Sequence, residues 1–235
     1  MPGSIRLFVD APLAAGDTIT ATAAQAHYLR TVMRRGAGDA LQLFNGRDGE
    51  FSARIATIRR DHAELHVEQR IRLQAEEPDL WLVFALLKRD ATDLVVQKAT
   101  ELGVAELHPV ITDRGNTHRI NASRLHAIAI EAAEQCERLT VPRVLPPQTL
   151  HDVLAGWPAS RRLFAAIERS EAPRITPTPG PRALLVGPEG GFTPAELEAL
   201  RAHPFVTAVS LGPRVLRADT ACIAGMALLQ GVDCG

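Results

Sequence analysis

Two stretches near the C-terminus carry residue types and spacing suited to ligand chemistry. They are Leu184-Leu185-Val186-Gly187-Pro188-Glu189-Gly190-Gly191-Phe192 and Ser210-Leu211-Gly212-Pro213-Arg214-Val215-Leu216-Arg217. Each reads as a short buried strand that ends in a glycine loop and then opens a helix. The first loop sets several backbone N–H groups ahead of a helix N-terminus, a nest suited to an anion or to the polar edge of a nucleotide. Pro188 stiffens the turn, while Gly190 and Gly191 permit close backbone approach. A strand-to-helix turn that binds nothing has the same composition, and on this loop alone that alternative stays open. No Gly-Lys-Ser/Thr follows, and the loop is not the GxGxxG fingerprint of dinucleotide folds.

The second loop supplies apolar Leu211, Val215 and Leu216 beside Arg214 and Arg217, which lie three residues apart. Apolar residues flanking backbone polar groups are what an adenine pocket needs. Asp219 and Thr220 follow in the electrostatically favourable first turn of a helix. The competing reading of the arginines is structural, as ion pairs with Asp219 or Glu189. Other chemistry is poorly supported. The eight histidines show no metal-ligand spacing, so no metal site is expected, and His108 before Pro109 reads as structural. Cys136, Cys222 and Cys234 form no CxxC pair; Cys136 reads as packing, and the odd count fits a reducing cytoplasm rather than a disulfide scaffold.

The elements that must position these loops fall into two blocks. Residues 1–74 read as an all-β unit with one short helix: strands at Ile5–Val9, Asp39–Phe44, Glu50–Ile58 and Ala63–Val67, with Ile71 and Leu73 continuing the last, and a helix at Ala24–Arg34. Asn45-Gly46-Arg47-Asp48-Gly49 is a hairpin signal, and the short strands predict a small barrel. The polar stretch Gln74–Asp79, containing Pro78, marks the boundary. Residues 75–235 then alternate strands and helices: Leu80–Leu87, helix Asp90–Leu102 stopping at Gly103, Glu106–Ile111, helix Asn121–Leu139, Leu163–Ile167, Leu184–Val186, Val206–Leu211 and helix Ala218–Gln230. Thr193-Pro194 with Glu196 starts another helix. Pro142–Pro147 and Pro173–Pro181 read as loops. This is an α/β domain with a mainly parallel sheet, whose carboxyl edge would bring the two glycine loops together.

Composition sets further bounds. No apolar run reaches the roughly 18–20 residues of a membrane span, and no basic-then-apolar leader opens the chain, so a cytoplasmic protein without a membrane partner is expected. Lys88 and Lys98 are the only lysines beside 24 arginines. Arginine suits bidentate phosphate contacts, although GC-rich codon usage would give the same bias. Arg30, Arg34 and Arg35 flank the N-terminal helix and could follow phosphates or simply be a solvated face.

Val-Gly-Pro-Glu-Gly-Gly-Phe and Ser-Leu-Gly-Pro-Arg-Val-Leu-Arg-Ala-Asp-Thr-Ala together resemble the signature of the RsmE-type ribosomal RNA methyltransferases, in the SPOUT (trefoil-knot) class. The resemblance extends over nearly the whole chain, through His27–Arg34 with Gly38-Asp39, Glu101-Leu102-Gly103-Val104, Pro109 with Thr112-Asp113-Arg114, and Ala133–Arg138 with Pro142. The chain departs from the family at Asp219, where Glu is usual, and at Gly115, where Ser is common.

The resemblance implies an N-terminal PUA-like RNA-binding barrel and a C-terminal α/β trefoil-knot domain, homodimeric through the knot. It also implies S-adenosylmethionine as methyl donor and N3-methylation of one uridine in 16S ribosomal RNA, naked or in the assembled small subunit. Val186, Gly187, Pro188, Glu189, Gly190, Leu211, Gly212, Arg214, Val215 and Leu216 would then hold the donor. Methyl transfer to N3 creates a developing uridine anion, which arginine is suited to stabilise. Arg217 is the first candidate, and Arg114 a second from the partner subunit. Glu189 would act as base, orient an arginine, or merely cap its turn. Glu134, Gln135 and Arg138, on nearby helix faces, would line the RNA or dimer interface, with Arg30, Arg34, Arg35 and Arg114 also on RNA. A non-catalytic RNA-binding adaptor that kept the fold is the alternative.

Overall fold

The computed structural model describes residues 5–115, 119–167 and 172–231. The chain divides into two compact units: residues 1–76 with 133–141, and residues 77–132 with 142–235.

The first unit is built on a five-stranded mixed sheet, β1 (Arg6–Phe8), β2 (Thr18–Ala21), β3 (Ala40–Phe44), β4 (Glu50–Ile58) and β5 (Ala63–Arg72), in the order β1-β3-β4-β5-β2. β1 runs parallel to β3; the other neighbours are antiparallel. Alternating residues such as Leu41 and Leu43, Ala53 and Ile55, and Leu65 and Val67 turn into one apolar core, as period-two patterning requires. Asn45 Oδ1 accepts the amides of Arg47 (3.0 Å) and Asp48 (2.9 Å), which folds the hairpin between β3 and β4. β2 was not anticipated, because four residues alternating with threonine leave little signal.

The N-terminal helix differs from expectation. α1 (Ala23–His27) is held by a capping box between Thr22 and Gln25, then widens into a π-helical turn at Tyr28–Val32, with the Met33 amide reaching Tyr28 O at 3.0 Å. Arg34 adopts φ 54°, so the helix cannot continue through it.

Residues 133–141 join this unit through one buried arginine. Arg6, ion-paired to buried Glu50, also donates to the carbonyls of Ala133 (2.7 Å), Glu134 (3.2 Å) and Arg138 (3.0 Å). Sequence patterning placed this stretch wholly in the second domain because nothing local marks a long-range arginine clamp.

Among its described residues the second unit contains seven strands, all parallel: β6 (Leu80–Ala85), β7 (Glu106–Ile111), β8 (Arg143–Val144), β9 (Gln148–Thr149), β10 (Arg162–Ala166), β11 (Arg182–Val186) and β12 (Val206–Val209). Their order is β12-β10-β11-β6-β7-β8, with β9 also on β7. Five helices accompany them: α2 (Arg89–Glu101), α3 (Ala122–Gln135), α4 (Leu150–Ala155), α5 (Pro194–Ala202) and α6 (Ala218–Gln230). α6 packs on β11, β6 and α2. On the opposite face, Val83, Leu163, Ala183 and Leu185 form a core with Val153 and Leu154 of α4 and Leu200 of α5. Burial on both faces explains why these strands read as continuous apolar runs.

α3 starts where Asn121 Oδ1 accepts the Arg124 amide at 3.0 Å. It ends at Gln135 rather than Leu139, since Glu137 takes φ 61°. β8 falls within a proline-rich stretch expected to be a loop, and β8, β9 and α4 are too short to carry a periodic signal. No helix among the described residues is long and apolar enough to cross a membrane.

Candidate active site

The neighbouring strands β10, β11 and β12 end at one edge of the sheet, and their following loops enclose a cavity of about 790 Å³. Its wall includes Val186 through Phe192 from the first glycine loop and Ser210 through Leu216 from the second. Every residue expected to hold a methyl donor therefore lies on one cavity. The volume falls in the range of pockets that enclose drug-sized ligands.

Local chemistry shapes each loop. Gly191 N donates to Pro188 O at 2.9 Å, closing the turn after β11. A Cβ on Gly187 would sit 3.0 Å from the Phe192 ring, a contact tight enough that the ring would have to shift by a few tenths of an ångström to accept it. The helix cap falls to Thr193 and Glu196, which form a full capping box at α5. Glu189 is thus not needed for the cap, and its carboxylate side chain is exposed on the cavity wall. In the second loop, Gly212 takes φ 128°, and no atom lies within 4 Å of where its Cβ would be. Ser210 N donates to Pro173 O at 2.8 Å and Ile175 N to Ser210 O at 3.1 Å, which brings Arg174 into the wall.

Arg114 is anchored within its own chain. Its Nη1 donates to Gly190 O at 3.0 Å and, more weakly, to Phe192 O at 3.4 Å. The adjacent backbone is tied to the same segment: Asp113 N donates to Glu196 Oε1 at 2.9 Å, and Thr193 Oγ1 donates to Asp113 Oδ2 at 3.1 Å. Sequence reasoning missed this latch. The Thr-x-x-Glu capping box was its visible half, but the second role of Glu196 depends on a partner 83 residues away.

Arg217 does not line the cavity. It is the residue that starts α6, its side chain is 81% exposed, and its Nε lies 3.8 Å from Asp219 Oδ1. Arg214 and Val215 are on the wall and exposed, Val215 at 58%. An exposed aliphatic side chain at a cavity mouth offers a surface for the apolar part of a ligand. Cys222, on the buried face of α6, is held neutral because burial and nearby Asp219 both push its thiol up. It is no nucleophile.

The expected RNA-contacting residues separate by exposure. Arg30, Arg34 and Arg35 are all exposed beside the π-helical turn, as either a phosphate contact or a solvated face requires. Glu134 and Arg138 are used internally: Glu134 Oε1 accepts the Phe8 amide at 2.9 Å, and Arg138, 7% exposed, donates to Thr140 Oγ1 at 2.8 Å. Of that trio only Gln135 is exposed. Cys136, expected to pack, is exposed as well. Cys234 lies outside the described residues. Among the described residues no cluster of His, Cys, Asp or Glu could hold a metal ion.

Comparison with known proteins agrees with this arrangement. Residues 75–230 match the RNA methyltransferase domain family, and residues 21–68 match the RNA methyltransferase PUA domain. Ribosomal RNA small subunit methyltransferase E of Rickettsia conorii is 34% identical, over 96% of this chain and 94% of its own length. The protein of the same name from Synechocystis is 31% identical, over 92% of this chain and 73% of its own length. The crystal structure of ribosomal RNA small subunit methyltransferase E from Neisseria gonorrhoeae, bound to S-adenosyl methionine, superposes with a TM-score of 0.87. It is 29% identical and covers 97% of this chain and 98% of that one. With both units matched and identity sustained along the chain, the protein belongs to the ribosomal RNA small subunit methyltransferase E family of RNA methyltransferases.

Proposed function

We propose that this protein is an S-adenosylmethionine-dependent methyltransferase that modifies N3 of one uridine in 16S ribosomal RNA of the small subunit. The observation that carries the reading is the single cavity built by both glycine loops at the carboxyl ends of parallel strands. Its donor set fits the cofactor. Open space beside Gly191 and Gly212, with aliphatic Leu211, Val215 and Leu216, suits an adenosine, and Arg174 and Arg214 offer cations for a carboxylate.

Val186 to Gly190 and Leu211 to Leu216 would hold the cofactor, which when bound supplies a sulfonium methyl group. The protein's own contribution is positioning and charge stabilisation. Arg217, exposed at the start of α6, stabilises the uridine anion left as the N3 proton departs. Glu189 accepts that proton or orients an arginine beside it. Arg114 serves the same site by fixing the first glycine loop. Arg30, Arg34, Arg35 and Gln135 contact RNA. The last segment passes through the knot expected of the SPOUT class, and the protein acts in the cytoplasm as a homodimer through its second unit. Leu94 of α2 and Leu228 of α6, both exposed on helices that pack together, support such an association.

Calorimetric titration with S-adenosylmethionine tests the reading. Saturable binding is expected; absence of binding would leave the alternative of a non-catalytic RNA-binding adaptor.

A further inference from the structure

A second cavity, of about 430 Å³, opens beside the first strand of the parallel sheet and is not used by the reaction described above. Leu87, Arg89, Thr92, Arg119, Ile120, Asn121 and Arg124 line it. Leu87 follows β6, the sheet neighbour of β11, so this cavity stands at the same carboxyl edge as the methyl-donor site.

Its chemistry is cationic. Three guanidinium groups reach it from three places: the first turn of α2, the segment before α3, and the first turn of α3. Arg124 is ion-paired to Asp93 of α2. Arg89 and Arg119 are exposed, and neither guanidinium has a hydrogen bond or ion pair among the described residues. Lys88 is also exposed at the start of α2, and the acidic groups nearby are Asp93 and Asp90. The balance among these six groups is therefore positive: four cations against two carboxylates. Lys88, which caps α2, makes no side-chain capping bond. Asn121 accepts the Arg124 amide at 3.0 Å through its oxygen, which leaves its amide N–H groups to donate, and Thr92 spends its hydroxyl proton on Leu87 O at 3.0 Å, so the guanidinium groups and the Asn121 amide are the donors on the wall. Leu87 and Ile120 add apolar surface to the wall, but the charge beside them is cationic, so an anion is favoured and a cation repelled. Planar, forked guanidinium groups suit the oxygens of a phosphodiester.

We propose that this cavity is a phosphate-binding subsite for the backbone of the substrate RNA, flanking the nucleotide that enters the methyl-donor site. The inference rests on the methyltransferase reading and goes beyond it by assigning a register point for the RNA. Arg89 and Arg119 make the phosphate contact. Arg124, steadied by Asp93, completes the cation cluster.

The test is the binding of a 16S ribosomal RNA fragment to wild type and to the R89A/R119A and R89K/R119K variants across a salt series. S-adenosylmethionine affinity, sedimentation and thermal melting are measured on the same samples. The alanine pair should weaken RNA binding about tenfold, the scale of losing one charge-assisted contact. It should also make the salt dependence shallower by about 0.7 log units per decade, the share of one phosphate on a single strand. The lysine pair should recover the salt slope and part of the affinity, and cofactor affinity should be unchanged. Unchanged RNA affinity and salt slope in a folded alanine variant would overturn the proposal. So would a shift in oligomeric state with RNA affinity intact, which would assign the arginines to a protein partner. If wild type itself binds cofactor but no RNA, the fault lies in the methyltransferase reading, and the subsite falls with it.

Discussion

Replacing Arg114 with alanine separates two roles that the same arginine could fill. In the structure Nη1 bonds Gly190 O at 3.0 Å and Phe192 O at 3.4 Å. A charge-assisted hydrogen bond contributes about 1.5–3 kcal/mol net, and a long or solvent-exposed one less. Arg114 is exposed and its second bond is long, so about 2 kcal/mol is a fair total for the clamp. If that energy keeps the glycine loop in its binding shape, its loss weakens cofactor binding by roughly 30-fold, at 1.4 kcal/mol per tenfold. The assay is calorimetry with S-adenosylmethionine, paired with methylation rates at saturating cofactor. A large rise in Kd and KM for the cofactor is expected, with kcat within about threefold of wild type, the pattern of lost ground-state binding. R114K should fall between, because an ammonium cannot span both carbonyls as the guanidinium does. Unchanged cofactor affinity with kcat down about 100-fold or more would refute the clamp and return Arg114 to the reacting atoms.

Arg217→Ala should show the opposite split, with turnover reduced about 10²–10³-fold and cofactor affinity intact, read by single-turnover methylation and calorimetry. Gly187→Ala would place a Cβ 3.0 Å from the Phe192 ring. It should cost about 1–3 kcal/mol in denaturant-measured stability and weaken cofactor binding; a variant as stable as wild type would show that the loop yields freely. His108 is held below its usual range chiefly by burial, against the opposing pull of Glu106. The neutral ring is therefore favoured in the folded state, and its contribution to stability is full above about pH 6.5. That contribution is lost as pH falls from there through the folded value. Tm should drop over that interval in wild type and drop less in H108F, whereas identical pH profiles would contradict the assignment.

The long elements were legible because their periodicity is tied to burial. The two-faced burial of β6 and β11 produced continuous apolar runs, and β4, β7 and α6 fall where patterning put them. β2, β8 and β9, of two to four residues, and the six-residue helix α4 were not legible, since none has the continuous apolar run that marked a short strand such as β11. Positive φ at Arg34 and Glu137 ended two helices early, and neither residue type announces that conformation. The candidate site was readable at the level of which loops meet, because glycine and proline spacing reports backbone shape. Which side chains point inward was less readable. Arg114 bonded the first glycine loop, 76 residues away, Arg217 stood outside the cavity wall beside Asp219, and Arg138 was buried where Arg6 clamps its carbonyl from 132 residues away.

The central claim is methyl transfer to N3 of a uridine in small-subunit ribosomal RNA. It is tested most directly by adding the purified protein and S-adenosylmethionine to 16S ribosomal RNA and to small subunits from cells lacking the gene. Nucleosides are then identified by mass spectrometry. The account predicts that 3-methyluridine, absent beforehand, appears at one position and fails to appear with Arg217→Ala. Methylation at another base or at a ribose, or no transfer to either substrate despite bound cofactor, would contradict it.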